Sequence, residues 1–183
     1  MTIPVRRSLI LGGTRSGKSA YAEGLFSPAA PVRYLATGRV DPADPEWSDR
    51  IAAHRARRPP AWRTVETPDL AGELAAGADP VLVDDLATWL TGVLDDADVW
   101  RGGPLEPVHT EVDRLAGAVR DCPARLVLVS AEVGLGVVPE TRSGRLFRDE
   151  LGALNARLAQ VCDEVELLVA GLPMRLKPQL EPN

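Results

Sequence analysis

An apolar run, Ser8-Leu9-Ile10-Leu11, leads straight into Gly12-Gly13-Thr14-Arg15-Ser16-Gly17-Lys18-Ser19, and a helical stretch through Tyr21, Ala22, Leu25 and Phe26 follows. The eight residues fit G-x-x-x-x-G-K-[ST], and the strand before and helix after are the context that pattern needs. No other feature limits the fold as much, because such a loop belongs where a strand of an α/β sheet hands over to a helix. The glycines let the backbone curl until successive N–H groups converge on phosphate oxygens. The helix beginning near Lys18 adds the positive end of its dipole. Lys18 is the expected cation on the β and γ phosphates, and the Ser19 hydroxyl the expected magnesium ligand. Composition adds weight here. The 21 basic residues are 19 arginines and two lysines, Lys18 and Lys177. A chain almost without lysine keeps one where a phosphate cradle requires it. A glycine-rich turn with no ligand is the plain alternative.

Short apolar runs alternate with helical stretches along the rest of the chain, which predicts a mostly parallel α/β sheet flanked by helices. Strands are expected at Val32–Thr37, Trp62–Glu66, Val81–Val83, Leu126–Ser130 and, as the last, Val165–Ala170, closed by Gly171-Leu172-Pro173. The wholly apolar Leu126–Val129 run predicts a central position. Helices are expected from Asp44 to before Pro59, near Leu70–Ala75, over Leu86–Leu94, Val108–Val119 and about Ser143–Val161. Asp95–Pro107 reads as a loop, the weakest point for order. With no linker or repeat, residues 1–183 are expected to form one domain.

A P-loop needs a second magnesium contact from an acid ending a neighbouring strand. Val81-Leu82-Val83-Asp84-Asp85 supplies two acids. Asp84 directly ends the apolar run and is the better candidate, with a helix N-cap as its alternative. For Asp85 the cap role is favoured. These residues point to a nucleoside triphosphate and Mg2+, not to one reaction.

Of the two histidines, His109 opens a polar helix and reads as a surface residue. His54 lies in Arg50-Ile51-Ala52-Ala53-His54-Arg55-Ala56-Arg57-Arg58-Pro59, on one helical face with Trp47 and Ile51. Arg55, Arg57 and Arg58 form a patch able to hold phosphates. The same charges disfavour protonation of the imidazole, and the neutral form carries the lone pair that can attack phosphorus. A packed or surface histidine is the alternative.

A formal charge of −5 argues against a dedicated nucleic-acid binder. No run approaches the roughly 20 apolar residues of a membrane span. Only four apolar-run residues precede the first glycine, too short for a secretory signal. Cys122 and Cys162 stand far apart and read as reduced thiols.

Together the motifs resemble one family. Gly12–Ser19, Tyr34-Leu35-Ala36-Thr37, Arg50-Ile51 with His54-Arg55 and Arg58-Pro59, Trp62–Glu66, Val81–Asp84, Glu132–Pro139 and Phe147-Arg148-Asp149 are similar to the bifunctional adenosylcobinamide kinase/adenosylcobinamide-phosphate guanylyltransferases of cobalamin assembly. Nearly the whole chain is covered. The resemblance implies a P-loop NTPase fold related to the RecA type, a homotrimer and a cytoplasmic enzyme. It implies phosphorylation of adenosylcobinamide by a nucleoside triphosphate, ATP or GTP. GMP is then carried from GTP through His54 to adenosylcobinamide phosphate, giving adenosylcobinamide-GDP. By the same resemblance Thr37, Gly38, Arg39, Arg55, Ala56, Arg57, Arg58 and Glu66 line the nucleotide site. The chain departs from the common pattern at Asp85, Gly92, Ala131 and Ala156. The rival readings are a P-loop kinase for a small molecule with no guanylyl transfer, and a non-catalytic GTP-binding module.

Overall fold

Successive residues of a strand face opposite sides of a sheet, and β1 (Arg7–Gly12) shows what that does here. Leu9 and Leu11 enter one buried cluster, and Ile10 enters another on the opposite face. A strand apolar on both sides must be covered twice, so helices lie on both faces. The computed structural model describes residues 6–38 and 58–177. After β1 the chain forms α1 (Lys18–Gly24), β2 (Arg33–Ala36), β3 (Arg63–Glu66) and α2 (Leu70–Ala75). Then come β4 (Val81–Asp84), α3 (Leu86–Asp96), a 3-10 turn (Val99–Arg101), α4 (Glu106–Asp121) and β5 (Leu126–Ala131). Helix α5 (Arg142–Val161) and strands β6 (Glu164–Val169) and β7 (Leu172–Lys177) follow.

The strands form one seven-stranded sheet in the order β3-β2-β4-β5-β1-β6-β7. Every pairing is parallel except β6 with β7. As its composition predicts, β5 is the middle strand. Leu9, Leu35, Val83 and Leu128 pack with Leu74, Leu90, Leu115 and Leu154 of α2, α3, α4 and α5. On the other face Ile10, Leu82 and Val129 pack with Ala22, Phe26, Tyr34 and Trp62. Among the described residues no helix is long and apolar enough to cross a membrane.

Caps fix the helix starts. Asp69 accepts from Gly72 N at 3.0 Å and Asp85 from Thr88 N at 2.7 Å, and Thr141 accepts from Gly144 N at 3.1 Å. Asp85 thus has the cap role that its position favours.

Two expectations are corrected. Asp95–Pro107 is not a plain loop. Helix α3 runs to Asp96, α4 starts at Glu106, and the 3-10 turn between them sinks Val99 into the core at 2 % exposure. Nor is β6 the last strand. Ala170 (φ 52) and Gly171 (φ 80) form a two-residue turn, and left-handed residues at both centres suit a tight hairpin. The chain then returns as the antiparallel edge strand β7. Pro173, which reads as a terminator, is tolerated because an edge strand need not donate on both sides. The helix expected from Asp44 lies outside the described residues.

Candidate functional site

Six parallel strands bring their carboxyl ends to one edge of the sheet, the edge where open α/β folds bind ligands. Gly12 ends β1, Ala36 ends β2, Glu66 ends β3, Asp84 ends β4 and Ala131 ends β5. The phosphate-loop motif, Thr37, Gly38 and the strand-end acid therefore converge without any further device.

The loop from Gly12 to Ser19 is curled as the motif requires. Ser16 N donates to Gly13 O at 3.3 Å, and Tyr21 N donates to Gly17 O at 2.9 Å as α1 begins. Gly17 holds φ 89, a left-handed conformation that a side chain would strain. A Cβ at Gly12 would overlap Ser16 Oγ, so that hydroxyl is seated directly on the end of β1. Thr14 and Arg15 are exposed at the tip. Lys18 Nζ arches back to Gly13 O at 3.4 Å, which puts the ammonium over the loop. Neighbouring strand ends brace the loop: Glu132 N donates to Gly12 O and Gly171 N to Ser16 O, both at 3.0 Å.

Asp84 is the hub of the site. Ser19 Oγ donates to its Oδ1 at 3.2 Å, and Tyr34 Oη donates to its Oδ2 at 2.7 Å. One hydroxyl and one carboxylate on adjacent elements are the hard oxygen donors that magnesium takes when phosphates and water complete its shell. Among the described residues no group of three His, Cys, Asp or Glu could hold a metal alone. Burial, then the Asp84 charge, push the Tyr34 hydroxyl well above its ordinary range, so it remains a donor. The Asp84–Asp85 peptide is cis.

Thr37 is buried and donates to Asp85 O at 2.7 Å, which ties β2 to the start of α3. Gly38 follows it at the same edge, and Glu66 is exposed at the end of β3. Arg58 stacks its guanidinium 3.5 Å from the Tyr34 ring centroid and donates to Thr64 Oγ1 at 2.8 Å. Arg39, His54, Arg55, Ala56 and Arg57 lie outside the described residues. His109 is a surface residue that meets Glu150 Oε2 at 3.1 Å.

Two contributors escape a reading of the sequence. Tyr34 reads as a core strand residue, yet its hydroxyl reaches Asp84. The turn at Ala170–Gly171 reads as a terminus, yet it backs the cradle. Only the strand order, which no local pattern carries, brings them there.

The fold has known counterparts. A solved ATPase from the type III secretion system of pathogenic bacteria superposes with a TM-score of 0.51 at 12% identity. The match covers 90% of this chain and 51% of that one, about half its length, and it shows the P-loop NTPase fold. Curated relatives are nearer. The bifunctional adenosylcobalamin biosynthesis protein CobU of Salmonella typhimurium is 39% identical, over 92% of this chain and 98% of the relative. CobU of Escherichia coli is 40% identical with the same coverage. CobP of Pseudomonas aeruginosa is 44% identical over 93% of this chain and 97% of its own. Residues 8–176 match the model of the CobU family, described as cobinamide kinase / cobinamide phosphate guanyltransferase, and the chain belongs to that family.

Proposed function

We propose that this protein phosphorylates adenosylcobinamide and then converts the product to adenosylcobinamide-GDP. Support comes from the family match over residues 8–176 and from the cradle edge described above. The single observation that carries the kinase half is the convergence of Lys18, Ser19 and Asp84 at one loop, with Ser19 Oγ 3.2 Å from Asp84 Oδ1. In this reading the backbone of Gly12–Ser19 holds the β and γ phosphates of ATP or GTP. Lys18 stabilises the charge that shifts as the γ-phosphoryl group passes to the acceptor hydroxyl. Ser19 and Asp84 would hold Mg2+, which would supply charge neutralisation to the phosphates. Thr37, Gly38, Arg39, Arg58 and Glu66 line the nucleotide.

In the second half, His54 attacks the α-phosphorus of GTP. A P–N bond forms as the bond to the pyrophosphate oxygen breaks. The acceptor's phosphate oxygen then displaces the imidazole, which restores neutral His54. A covalent intermediate divides one hard displacement into two easier ones. Arg55, Ala56 and Arg57 adjoin the nucleophile, and the arginines offset phosphate charge. The working form is a single-domain subunit in a cytoplasmic homotrimer.

Incubation with α-labelled GTP and magnesium tests this reading. Wild type takes up acid-labile, base-stable label and passes it to cobinamide phosphate. His54→Asn keeps cobinamide phosphorylation and takes up none. Equal labelling of both proteins overturns the histidine role. Cobinamide that is phosphorylated by a protein that never labels leaves a kinase alone, and GTP binding with no turnover leaves a binding module.

A further inference from the structure

We propose that Tyr34, braced by Arg58, is a positioning residue that sets which oxygen of Asp84 faces the bound cation. The inference rests on the assignment of Ser19 and Asp84 to magnesium.

A carboxylate at the end of a strand can present either oxygen. Here the two are already distinguished. Oδ2 accepts from Tyr34 Oη at 2.7 Å, and Oδ1 is 3.2 Å from Ser19 Oγ. A neutral phenol anchoring one oxygen leaves the other turned toward the cradle. Such hydrogen bonds from outside the ligand set fix the orientation of metal-binding carboxylates.

Tyr34 can act as a fixed point because it is itself immobilised. It is 2 % exposed. Trp62 lies 6.3 Å from it, centroid to centroid, and the Arg58 guanidinium carbon sits 3.5 Å from its centroid. Thr64 Oγ1 accepts from Arg58 Nη1 at 2.8 Å, which locks the brace to β3. Sheet register then aims the hydroxyl. Tyr34 pairs with Leu82, and Ala36 with Asp84. Tyr34 is thus one pleat behind Asp84 on the α1 face, and a tyrosine is long enough to reach forward across that step.

A packing role alone would need only the ring. Tyr34→Phe keeps the ring and removes the anchor. The test is Mn2+ binding, read by paramagnetic resonance in the presence of the non-hydrolysable guanosine β,γ-imidotriphosphate. Tyr34→Phe is expected to weaken Mn2+ about tenfold while the metal-free affinity for the nucleotide stays the same. Tyr21→Phe, which removes a hydroxyl beside Glu166, is expected to leave Mn2+ unchanged. An unchanged Mn2+ constant in Tyr34→Phe overturns the inference alone. Absence of any ternary Mn2+ signal in wild type overturns the metal assignment and the inference with it.

If Tyr34→Phe fails to fold, fluorine resonance decides. The chain has two tyrosines, so 3-fluorotyrosine in Tyr21→Phe reports Tyr34 alone. Its signal is expected to move when Mg2+ is added to the nucleotide complex. A stationary signal contradicts the inference.

Discussion

The chain's two lysines stand at opposite ends of the same sheet and are treated differently. Lys177 closes β7 at the amino-terminal edge of the parallel strands, and its Nζ donates to Ala159 O (2.9 Å), Gln160 O (3.3 Å) and Cys162 O (2.6 Å). A cation there satisfies carbonyls that the end of α5 leaves without helical donors. Lys18 stands at the carboxyl-terminal edge, and among the described residues its hydrogen bond is the long one to Gly13 O. The same contrast holds for the acids. At the first edge Asp163 accepts from Arg7 Nε at 3.1 Å, from Arg7 Nη2 at 2.8 Å and from Arg7 N at 2.9 Å. At the second, the contacts of Asp84 include the hydroxyls of Ser19 and Tyr34. One edge neutralises its charges internally and holds β1, β6 and α5 together. The other gathers Lys18, Ser19 and Asp84 around the glycine-rich loop. Stability and chemistry are thereby separable, and mutations should sort by edge.

The largest separation is expected from Lys18→Met. Phosphoryl transfer should fall about 100- to 1,000-fold, as for loss of a preorganised charge stabiliser. Urea unfolding should move by no more than about 0.5 kcal/mol. A comparable loss of stability would mean that Lys18 is structural. Lys177→Met should do the reverse, losing about 2 kcal/mol of stability through its charge-assisted bonds while turnover stays within about twofold.

Asp163 should give a pH signature. Burial pushes its carboxyl up, but the hydrogen bonds and charge of Arg7 outweigh burial and hold it below the usual range. A depressed folded value stabilises the protein above the ordinary carboxylate value of about 4, and that stability is lost as pH falls through the folded value. Asp163→Asn should lower stability at pH 7 by about 1–2 kcal/mol and flatten the fall below about pH 4. An unaltered acid limb would remove Asp163 from the account. The smallest effect is expected from Thr141→Ala, which deletes the α5 cap for about 1 kcal/mol by thermal unfolding and leaves both edges working.

What could be read in the chain beforehand follows the same division. The cradle is local: eight consecutive residues between a strand and a helix. Asp84 and the caps Asp69 and Asp85 are also local, because each closes or opens an element whose apolar pattern is plain. Strand β7 alternates apolar residues at Leu172, Met174 and Leu176, but Gly171 and Pro173 read as an ending and mask that short pattern. The turn between Asp96 and Glu106 was hidden by its Asp, Gly and Pro content, which outweighed the single buried anchor Val99. Tyr34 was hidden for a different reason. Its partner lies 50 residues away, and only the β2–β4 register brings the two together.

The most direct measurement of the whole account is peptide mapping by mass spectrometry after exposure to GTP and Mg2+. One added GMP is expected, carried by the peptide containing residues 50–58 and absent from it in His54→Asn. A GMP found elsewhere on the chain, or none at all on protein that still turns over cobinamide phosphate, would contradict it.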